Sequence, residues 1–164
     1  MLAGDAVAAG RCDAVFEVAD VDGTSRLPLE LAHGIRFDVD CEPVRSFPSF
    51  RGQRNFPGLW WFATTRRHIG YESWVERDQL MALDANPETV GVASQPFRLR
   101  WPDGRHHVPD YYARRSDGTV VIVDLKTGRT QATGPAAAVG NPQLSAYQLA
   151  FEQGAIPAAA GLPA

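Results

Sequence analysis

Residues 108–128 read VPDYYARRSDGTVVIVDLKTG and contain Lys126, the only lysine among the 164 residues of the chain. The run from Thr119 to Asp124 is almost continuously apolar and β-branched, which is typical of a central strand buried on both faces. Asp117-Gly118 is a turn signal in front of it. We therefore expect a hairpin in which a strand over residues 105–112 precedes this strand.

Three charged side chains fall where these two strands end. Side chains two residues apart on a strand point to the same face, so Asp124 and Lys126 project together while Leu125 points away. Asp110, which we expect to end the preceding strand, brings a second carboxylate close to Asp124. Two converging carboxylates repel each other unless a cation lies between them, and oxygen ligands favour Mg²⁺ or Mn²⁺ over zinc.

The Lys126 ammonium suits such a site because it is a compact point charge that can hold an attacking water or a phosphate oxygen. Together the three residues favour metal-assisted hydrolysis of a phosphodiester. The alternative is a strand that simply leaves the core, with Lys126 in solvent. His106 shares the expected strand face of Asp110, where it either assists or forms part of a surface histidine pair.

A helix is predicted before these strands, over residues 72–86. Ser73 is its expected N-cap, and Glu76 three residues later completes a capping box. The apolar stripe of this helix is assigned to Tyr71, Trp74, Val75, Met81 and Ala82.

Period-two alternation predicts a first strand over residues 90–101, with a turn at residues 102–104. After the hairpin, a loop rich in Gly, Ala and Thr over residues 127–141 leads to a last helix over residues 142–153. The order helix, three strands, helix predicts an α/β or α+β layered domain.

The net charge of −3 conceals two segments of opposite sign. Residues 1–42 carry nine acids against three arginines, with weak strand patterns at residues 14–18 and 35–39. Residues 43–70 carry five arginines, no acid and six Phe or Trp side chains, and their prolines and glycines favour an extended arm or irregular loop. Basic residues interleaved with aromatic ones suit a polyanion with stackable bases. The alternative is a solvated loop whose aromatic side chains pack on the domain.

Composition argues against several other classes of protein. Cys12 and Cys41 are too few for a disulfide framework, and the scattered Cys and His residues lack zinc-ligand spacing. The first residues do not resemble a signal peptide, and no apolar run reaches the roughly 18 residues of a membrane span. The glycine-rich motif that binds nucleotide phosphates is missing. We expect a cytoplasmic protein without a nucleotide cofactor or membrane contact.

The pair Pro109-Asp110, followed by Asp124-Leu125-Lys126, resembles the two core motifs of the PD-(D/E)xK nuclease superfamily. Residues 45–124, with RGQRNFPGLWW, GYESWVERD and GVASQPFRL, are similar to the TnsA-like endonuclease subunits of heteromeric transposases. Residues 123–156, with VDLKTG and NPQLSAYQLA, are similar to the RecB-family nuclease domain.

The resemblance implies a restriction-endonuclease-like core, in which helices flank a mixed central sheet. It implies that Mg²⁺ or Mn²⁺ is bound by Glu76, Asp110, Asp124 and the backbone carbonyl of Leu125. It also implies that Lys126 positions the nucleophile.

Further residues are expected to contact DNA. The resemblance implies that Gln143 and Tyr147, four apart on one helix face, line the site and touch the DNA backbone. In the basic segment, the arginines that we expect to bind DNA are Arg51, Arg54, Arg66 and Arg67.

The chain is thus predicted to comprise an acidic N-terminal extension with short strands (1–42), a basic aromatic arm (43–70), the nuclease core (71–156) and a tail (157–164). The predicted activity is metal-dependent endonucleolytic hydrolysis of DNA, as the DNA-end-cleaving subunit of a heteromeric transposase. Two alternatives stay open: a RecB-like DNA exonuclease, and an inactive DNA-binding or assembly subunit with the same fold.

Overall fold

The structure is a computed structural model, and it describes residues 14–28, 31–32, 34–47, 50–53, 55–125 and 147. In chain order, the elements of these residues are β1 (Val15–Asp20), β2 (Gly23–Pro28), α1 (Phe37–Asp40), β3 (Gly58–Phe62), β4 (Arg67–Tyr71), α2 (Trp74–Ala85), β5 (Thr89–Ser94), β6 (Arg98–Arg100), β7 (His106–His107), β8 (Tyr111–Arg115) and β9 (Val120–Val123). This arrangement confirms the predicted α+β class. Among the described residues, no helix is long and apolar enough to span a bilayer.

These strands pair antiparallel in three groups. A four-stranded sheet has the order β2-β1-β6-β7, a three-stranded sheet has the order β5-β8-β9, and β3 and β4 form a separate hairpin. Strands β8 and β9 pair around the predicted turn at Asp117-Gly118, where Gly118 has a φ of +86°. A glycine suits this position because other residues adopt positive φ at a cost.

Two segments that we predicted as single strands each divide between two sheets, so these predictions were wrong. Residues 90–101 form β5 and β6, because Gln95 adopts a left-handed conformation (φ +48°) and the proline after it has no N–H for a sheet ladder. Residues 105–112 also divide between the two sheets, as β7 and β8. The Gln95 N–H donates to the Asp110 carbonyl at 2.9 Å, so the two crossings between sheets are joined to each other.

Strand β8, and not β9, is the central strand of the three-stranded sheet. Tyr111 and Tyr112 point to opposite faces of β8, and each is buried in a different hydrophobic core. Within the described part of the chain, β9 pairs with β8 alone and its residues are half-buried. Among the described strands, β8 therefore has the central position that we predicted for Thr119–Asp124. Successive tyrosines bury both faces of a strand here more fully than the β-branched run does.

Two hydrophobic cores lie on the two sides of β8. The first joins the four-stranded sheet and α1 to β8, and includes Phe16, Phe37, Phe97, Leu99 and Tyr112. In it Phe16 and Phe97 pack edge to face, with ring centroids 4.6 Å apart. The second joins the β3–β4 hairpin and α2 to the three-stranded sheet, and includes Phe62, Ile69, Leu80, Val92 and Tyr111.

The acidic segment contributes to the first core. Strand β1 confirms the pattern at residues 14–18 and pairs with β6. The strand predicted at residues 35–39 is wrong, because α1 forms there. The Arg36 N–H donates to Asp40 Oδ2 at 2.9 Å, and the Asp40 N–H donates back to the Arg36 carbonyl at 2.7 Å. Such local pairing by an aspartate competes with strand formation.

Helix α1 rests closely on β5. Its Asp38 carboxylate is buried and accepts hydrogen bonds from Nε and Nη2 of Arg114, at 3.1 and 2.8 Å. A side chain at Gly91 would overlap the Asp38 carboxylate. Glycine at position 91 therefore allows the buried ion pair to form.

The basic segment 43–70 is not irregular throughout. Its second half forms the β3–β4 hairpin, and the hairpin is tied to α2 because Trp60 Nε1 and the Ala63 N–H both donate to the Asp84 carboxylate at 3.0 Å. The expectation of an extended arm was wrong for this half. The Trp60 indole is engaged with a protein carboxylate.

Helix α2 confirms the predicted helix and its capping box. The Glu76 N–H donates to Ser73 Oγ at 3.3 Å, and Ser73 Oγ donates to Glu76 Oε1 at 2.8 Å. The predicted apolar stripe was wrong: Leu80 is the buried residue of α2, whereas half of the Trp74 and Val75 surfaces are exposed. The loop and helix predicted over residues 127–153 lie outside the described residues, except for Tyr147.

Candidate active site

Asp110 lies where the chain passes from the four-stranded to the three-stranded sheet. Its N–H donates to the Val123 carbonyl at 3.0 Å, and its carbonyl accepts from the Gln95 N–H. Its Oδ2 accepts from the Leu125 N–H at 2.6 Å. Asp110 was predicted to end a strand; instead it immediately precedes β8, and three hydrogen bonds fix its position.

Asp124 and Leu125 follow directly after β9. Because Tyr111 pairs with Val123, the next residues outward on the two strands are Asp110 and Asp124. The Asp110 carboxylate also reaches the backbone of Leu125. The structure therefore brings Asp110, Asp124 and Leu125 together at one end of the β8–β9 pair, as the sequence predicted for these strand ends.

His107 is a member of this group that sequence reasoning missed. Its Nε2 lies 3.1 Å from Asp124 Oδ2, and its side chain is 12% exposed. His106, the histidine that was considered instead, is exposed. Of the two alternatives for His106, its exposure fits a surface position, because residues 105–112 divide into β7 and β8 instead of forming the single strand that would place it on the face of Asp110. In the sequence, only its position next to His106 marked His107 as a candidate.

Tyr147 joins the group from a distant part of the sequence. Its side chain is buried, and its ring centroid lies 6.1 Å from that of His107. Burial raises the pKa of the Tyr147 hydroxyl far above its ordinary value, and the Asp124 and Asp110 carboxylates raise it further. The hydroxyl thus stays protonated beside two carboxylates and is available as a hydrogen-bond donor.

Glu76 occupies a different position from these residues. Its Oε2 accepts from the Glu72 N–H at 2.8 Å, and its Oε1 accepts from Ser73, so the carboxylate caps α2. Burial raises the pKa of the Tyr111 hydroxyl, and the carboxylates of Glu76, Asp110 and Glu72 raise it further. Tyr111 therefore lies within electrostatic reach of both the α2 cap and Asp110.

Glu72 lies near Glu76 and was not among the residues predicted for the site. Its Oε2 accepts from Arg45 Nη2 at 2.7 Å, and its Oε1 accepts from Gln95 Nε2 at 3.1 Å. The Gln95 N–H in turn bonds Asp110, so a continuous chain of polar contacts runs from Arg45 to Asp110. No local sequence pattern marks this chain, because its members are far apart in the sequence.

The atoms that could bind a metal at the β8–β9 end are oxygens, apart from the imidazole nitrogens of His107. Carboxylate and carbonyl oxygens are the ligands that Mg²⁺ prefers, and this ion often takes only one or two carboxylates from the protein. Among the described residues, no three His, Cys, Asp or Glu side chains converge as a complete metal-binding group. The chemistry of Asp110, Asp124 and Leu125 fits a two-carboxylate magnesium site, and their role as ligands stays a prediction, as does that of Glu76.

The remaining predicted residues divide into two groups. Arg51 and Arg66 are exposed, and Arg67 is exposed as well but donates to the Asp38 carbonyl at 3.2 Å. Predicted residues that lie outside the described part of the chain are Arg54, Lys126 and Gln143.

The family model of the PD-(D/E)XK nuclease superfamily matches residues 72–163, which is more than half of the chain and includes α2, β5–β9 and the group around Asp110. Neither a curated protein nor a solved structure gives a significant match.

Proposed function

The chain belongs to the PD-(D/E)XK nuclease superfamily, and from this premise we propose that it is a divalent-metal-dependent endonuclease that hydrolyses phosphodiester bonds in DNA. The observation that carries the proposal is the pairing of Asp110 with the β9 end. The Leu125 N–H holds the Asp110 carboxylate, and Asp124 is the neighbouring residue on that strand. Two carboxylates of adjacent strands are thereby available to one cation.

In this proposal Asp110, Asp124 and the Leu125 carbonyl hold Mg²⁺ or Mn²⁺. When bound, such an ion stabilises negative charge on the phosphate and lowers the pKa of a water ligand. The Tyr147 hydroxyl, protonated beside the carboxylates, donates to an anionic oxygen of the site. Lys126, two residues after Asp124, positions the attacking water with its ammonium group.

Glu76 has two candidate roles that can be separated experimentally. As a metal ligand it has to leave the cap of α2, whereas as a cap it stabilises the helix by about 1 kcal/mol. Glu76→Gln keeps hydrogen-bonding capacity at the cap but removes the charge. An unchanged melting temperature with reduced metal affinity supports the ligand role.

The finer assignment rests on sequence resemblance. Residues 45–124 favour a TnsA-like, DNA-end-cleaving subunit that acts with a transposase partner, whereas the motif containing Gln143 and Tyr147 favours a RecB-like exonuclease. The buried position of Tyr147 beside His107 supports its place in the site under either assignment. A closed circular plasmid is cut by an endonuclease only, whereas a linear duplex labelled at its ends is degraded by an exonuclease.

The test combines metal titration with DNA cleavage in three variants. Asp124→Ala is expected to abolish both Mg²⁺ binding, measured by calorimetry, and plasmid cleavage. Lys126→Ala is expected to keep Mg²⁺ affinity the same or higher, because it removes a competing charge. It should lower the cleavage rate by about 10²–10⁴-fold, as is typical when a positioned water-orienting group is lost. Lys126→Arg is expected not to restore the rate, because a guanidinium differs in shape and stays protonated.

Asp117→Asn provides the matched control, since it removes an exposed charge from the opposite end of the β8–β9 pair and keeps an oxygen to accept from the Thr119 N–H in the turn. It should change neither readout. Cleavage by Asp124→Ala at the wild-type rate would refute the assignment. If the chain alone does not cleave, metal binding that depends on Asp124 still supports the site, and addition of a transposase partner tests the subunit role. Metal binding without cleavage under all conditions selects the inactive DNA-binding or assembly subunit.

A further inference from the structure

One face of the four-stranded sheet carries three arginines around a single carboxylate. Glu17 on β1 pairs with Arg26 on β2 and with Arg98 on β6, and paired residues project to the same side of a sheet. Arg100, two residues after Arg98, shares that side. We call this set of four residues the arginine face. The opposite side of the same strands carries Phe16 and other residues of the first core.

The arginine face is held together by Glu17, whose side chain is 4% exposed. Glu17 Oε2 lies 3.0 Å from Arg26 Nε and 2.6 Å from Arg100 Nε, and Oε1 accepts a short hydrogen bond from Arg98 Nη1. The hydrogen bonds from Arg100 and Arg26 and the charges of Arg98 and Arg100 lower the pKa of Glu17 to about 2, against the opposing effect of burial. Glu17 is therefore ionised at neutral pH, and the face carries an excess of two positive charges.

These positive charges are accessible to a ligand. The Arg26 and Arg100 side chains are 62% and 32% exposed, and each guanidinium has five N–H donors, of which Glu17 takes only one or two. The buried carboxylate fixes the orientation of the guanidinium groups, so less side-chain entropy is lost when a ligand binds them.

A cavity joins the arginine face to the candidate active site. It has a volume of about 260 Å³ and is lined by Arg45, Arg98, His106, His107 and Val108. Arg98 belongs to the arginine face, and His107 contacts Asp124. Arg45, which is 40% exposed, adds a second arginine to the cavity lining. A strand of linked anions lying along the arginine face would thus enter the site from this side.

On the basis of the proposed nuclease function, we propose that the arginine face binds the phosphate backbone of DNA and that the Arg45–His107 cavity directs the strand toward Asp124. Planar guanidinium groups suit phosphate oxygens geometrically, and fixed charges on a sheet recognise a backbone without reading bases. Glu17 and Arg26 lie before residue 72, outside the region that the family model matches. The amino-terminal hairpin thus completes a substrate-binding surface to which the matched region contributes Arg98 and Arg100.

The test measures DNA binding in EDTA, so that it does not depend on cleavage. Fluorescence anisotropy with a labelled duplex of mixed sequence gives the dissociation constant over a range of salt concentrations. For Arg26→Gln/Arg100→Gln the slope of log K against log salt should decrease by about 1.8, because each lost phosphate contact removes about 0.9. At about 0.1 M salt this corresponds to a roughly 60-fold loss of affinity, if the contacts contribute nothing at 1 M.

Arg77→Gln/Arg115→Gln is the matched control, since it removes two positive charges from α2 and from the far end of β8. Its slope should stay close to that of the wild type. An equal loss in the control, or unchanged binding in Arg26→Gln/Arg100→Gln, overturns the proposal. In the second case the arginine face is a structural ion-pair cluster only. If the double variant does not fold, Arg26→Gln alone should lower the slope by about 0.9, because Arg26 is the most exposed of the three arginines.

Failure of the proposed function gives a different result. A wild-type protein that binds DNA through the arginine face but never cleaves it supports this inference and contradicts the nuclease assignment. If the Arg26→Gln/Arg100→Gln variant instead binds and cleaves DNA as the wild type does, the nuclease assignment is supported and the inference about the arginine face is contradicted.

Discussion

Replacement of Glu17 by glutamine should remove much of the decrease in the free energy of unfolding that the wild type shows as the pH falls from 4.5 to 2. The pKa of Glu17 is lowered from an ordinary value of 4.5 to about 2, chiefly by its hydrogen bond with Arg100. A carboxyl group with a depressed pKa stabilises the fold fully above pH 4.5 and loses this effect as the pH falls toward 2. Because each pKa unit is worth about 1.4 kcal/mol, the ionised Glu17 contributes about 3 kcal/mol at neutral pH.

Glutamine has nearly the shape of a protonated glutamate, so Glu17→Gln imitates the acid form at every pH. The free energy of unfolding of the variant should be lower than that of the wild type by about 3 kcal/mol at pH 7 and by less than about 1 kcal/mol at pH 2. Urea unfolding followed by circular dichroism at several pH values measures both differences.

Asp22→Asn is the matched control, since Asp22 is exposed in the turn between β1 and β2. It should follow the wild-type pH dependence. A constant difference between Glu17→Gln and wild type from pH 7 to pH 2 would refute the reasoning, because it would show that the charge of Glu17 contributes nothing to stability.

Three other substitutions test the packing that supports the site, each by urea unfolding. Gly91→Ala should destabilise the protein by about 1–3 kcal/mol, because the new methyl group overlaps the buried Asp38 carboxylate; an unchanged stability would mean that α1 moves freely on β5. Ser73→Ala should cost about 1 kcal/mol through loss of the α2 cap, whereas Ser73→Asp should retain most of it. Arg66→Gly should stabilise the protein by up to about 1 kcal/mol, since Arg66 has a φ of +54° in the β3–β4 turn; if stability falls instead, the Arg66 side chain makes contacts that outweigh the backbone strain.

Features encoded by neighbouring residues were predictable from the sequence. The capping box of Ser73 and Glu76 depends on a spacing of three residues and was found as expected. The approach of Asp110 to the end of β9 depends on a short hairpin, which the turn at Asp117-Gly118 specifies. In both cases the interacting residues are separated by a short stretch whose conformation the sequence itself restricts.

Features that depend on long-range contacts were not predictable. The choice of His107 over His106 follows from the break after β7, and that break is tied to the left-handed conformation of Gln95. Glutamine has no particular preference for positive φ, so tertiary contacts impose this conformation. The arginine face joins Glu17 to Arg98, 81 residues away, and no periodicity links residues at that distance. Among the described residues, the basic segment 43–70 contributes Arg45 to the adjoining cavity but none of the arginines around Glu17, and DNA binding by Arg51, Arg54, Arg66 and Arg67 stays a prediction.

The hydrogen bonds that meet at Asp110 also determine how the site moves. The amide protons of Gln95, Asp110 and Leu125 form hydrogen bonds that extend the pairing of β8 with β5 and with β9, so their exchange with deuterium requires β8 to separate from one of these strands. We expect these amides to be among the slowest to exchange in the described part of the chain. Asp110 consequently does not share the fast motions of a surface loop. The conformational entropy of fixing this carboxylate is lost during folding, so a ligand that binds Asp110 does not bear that cost.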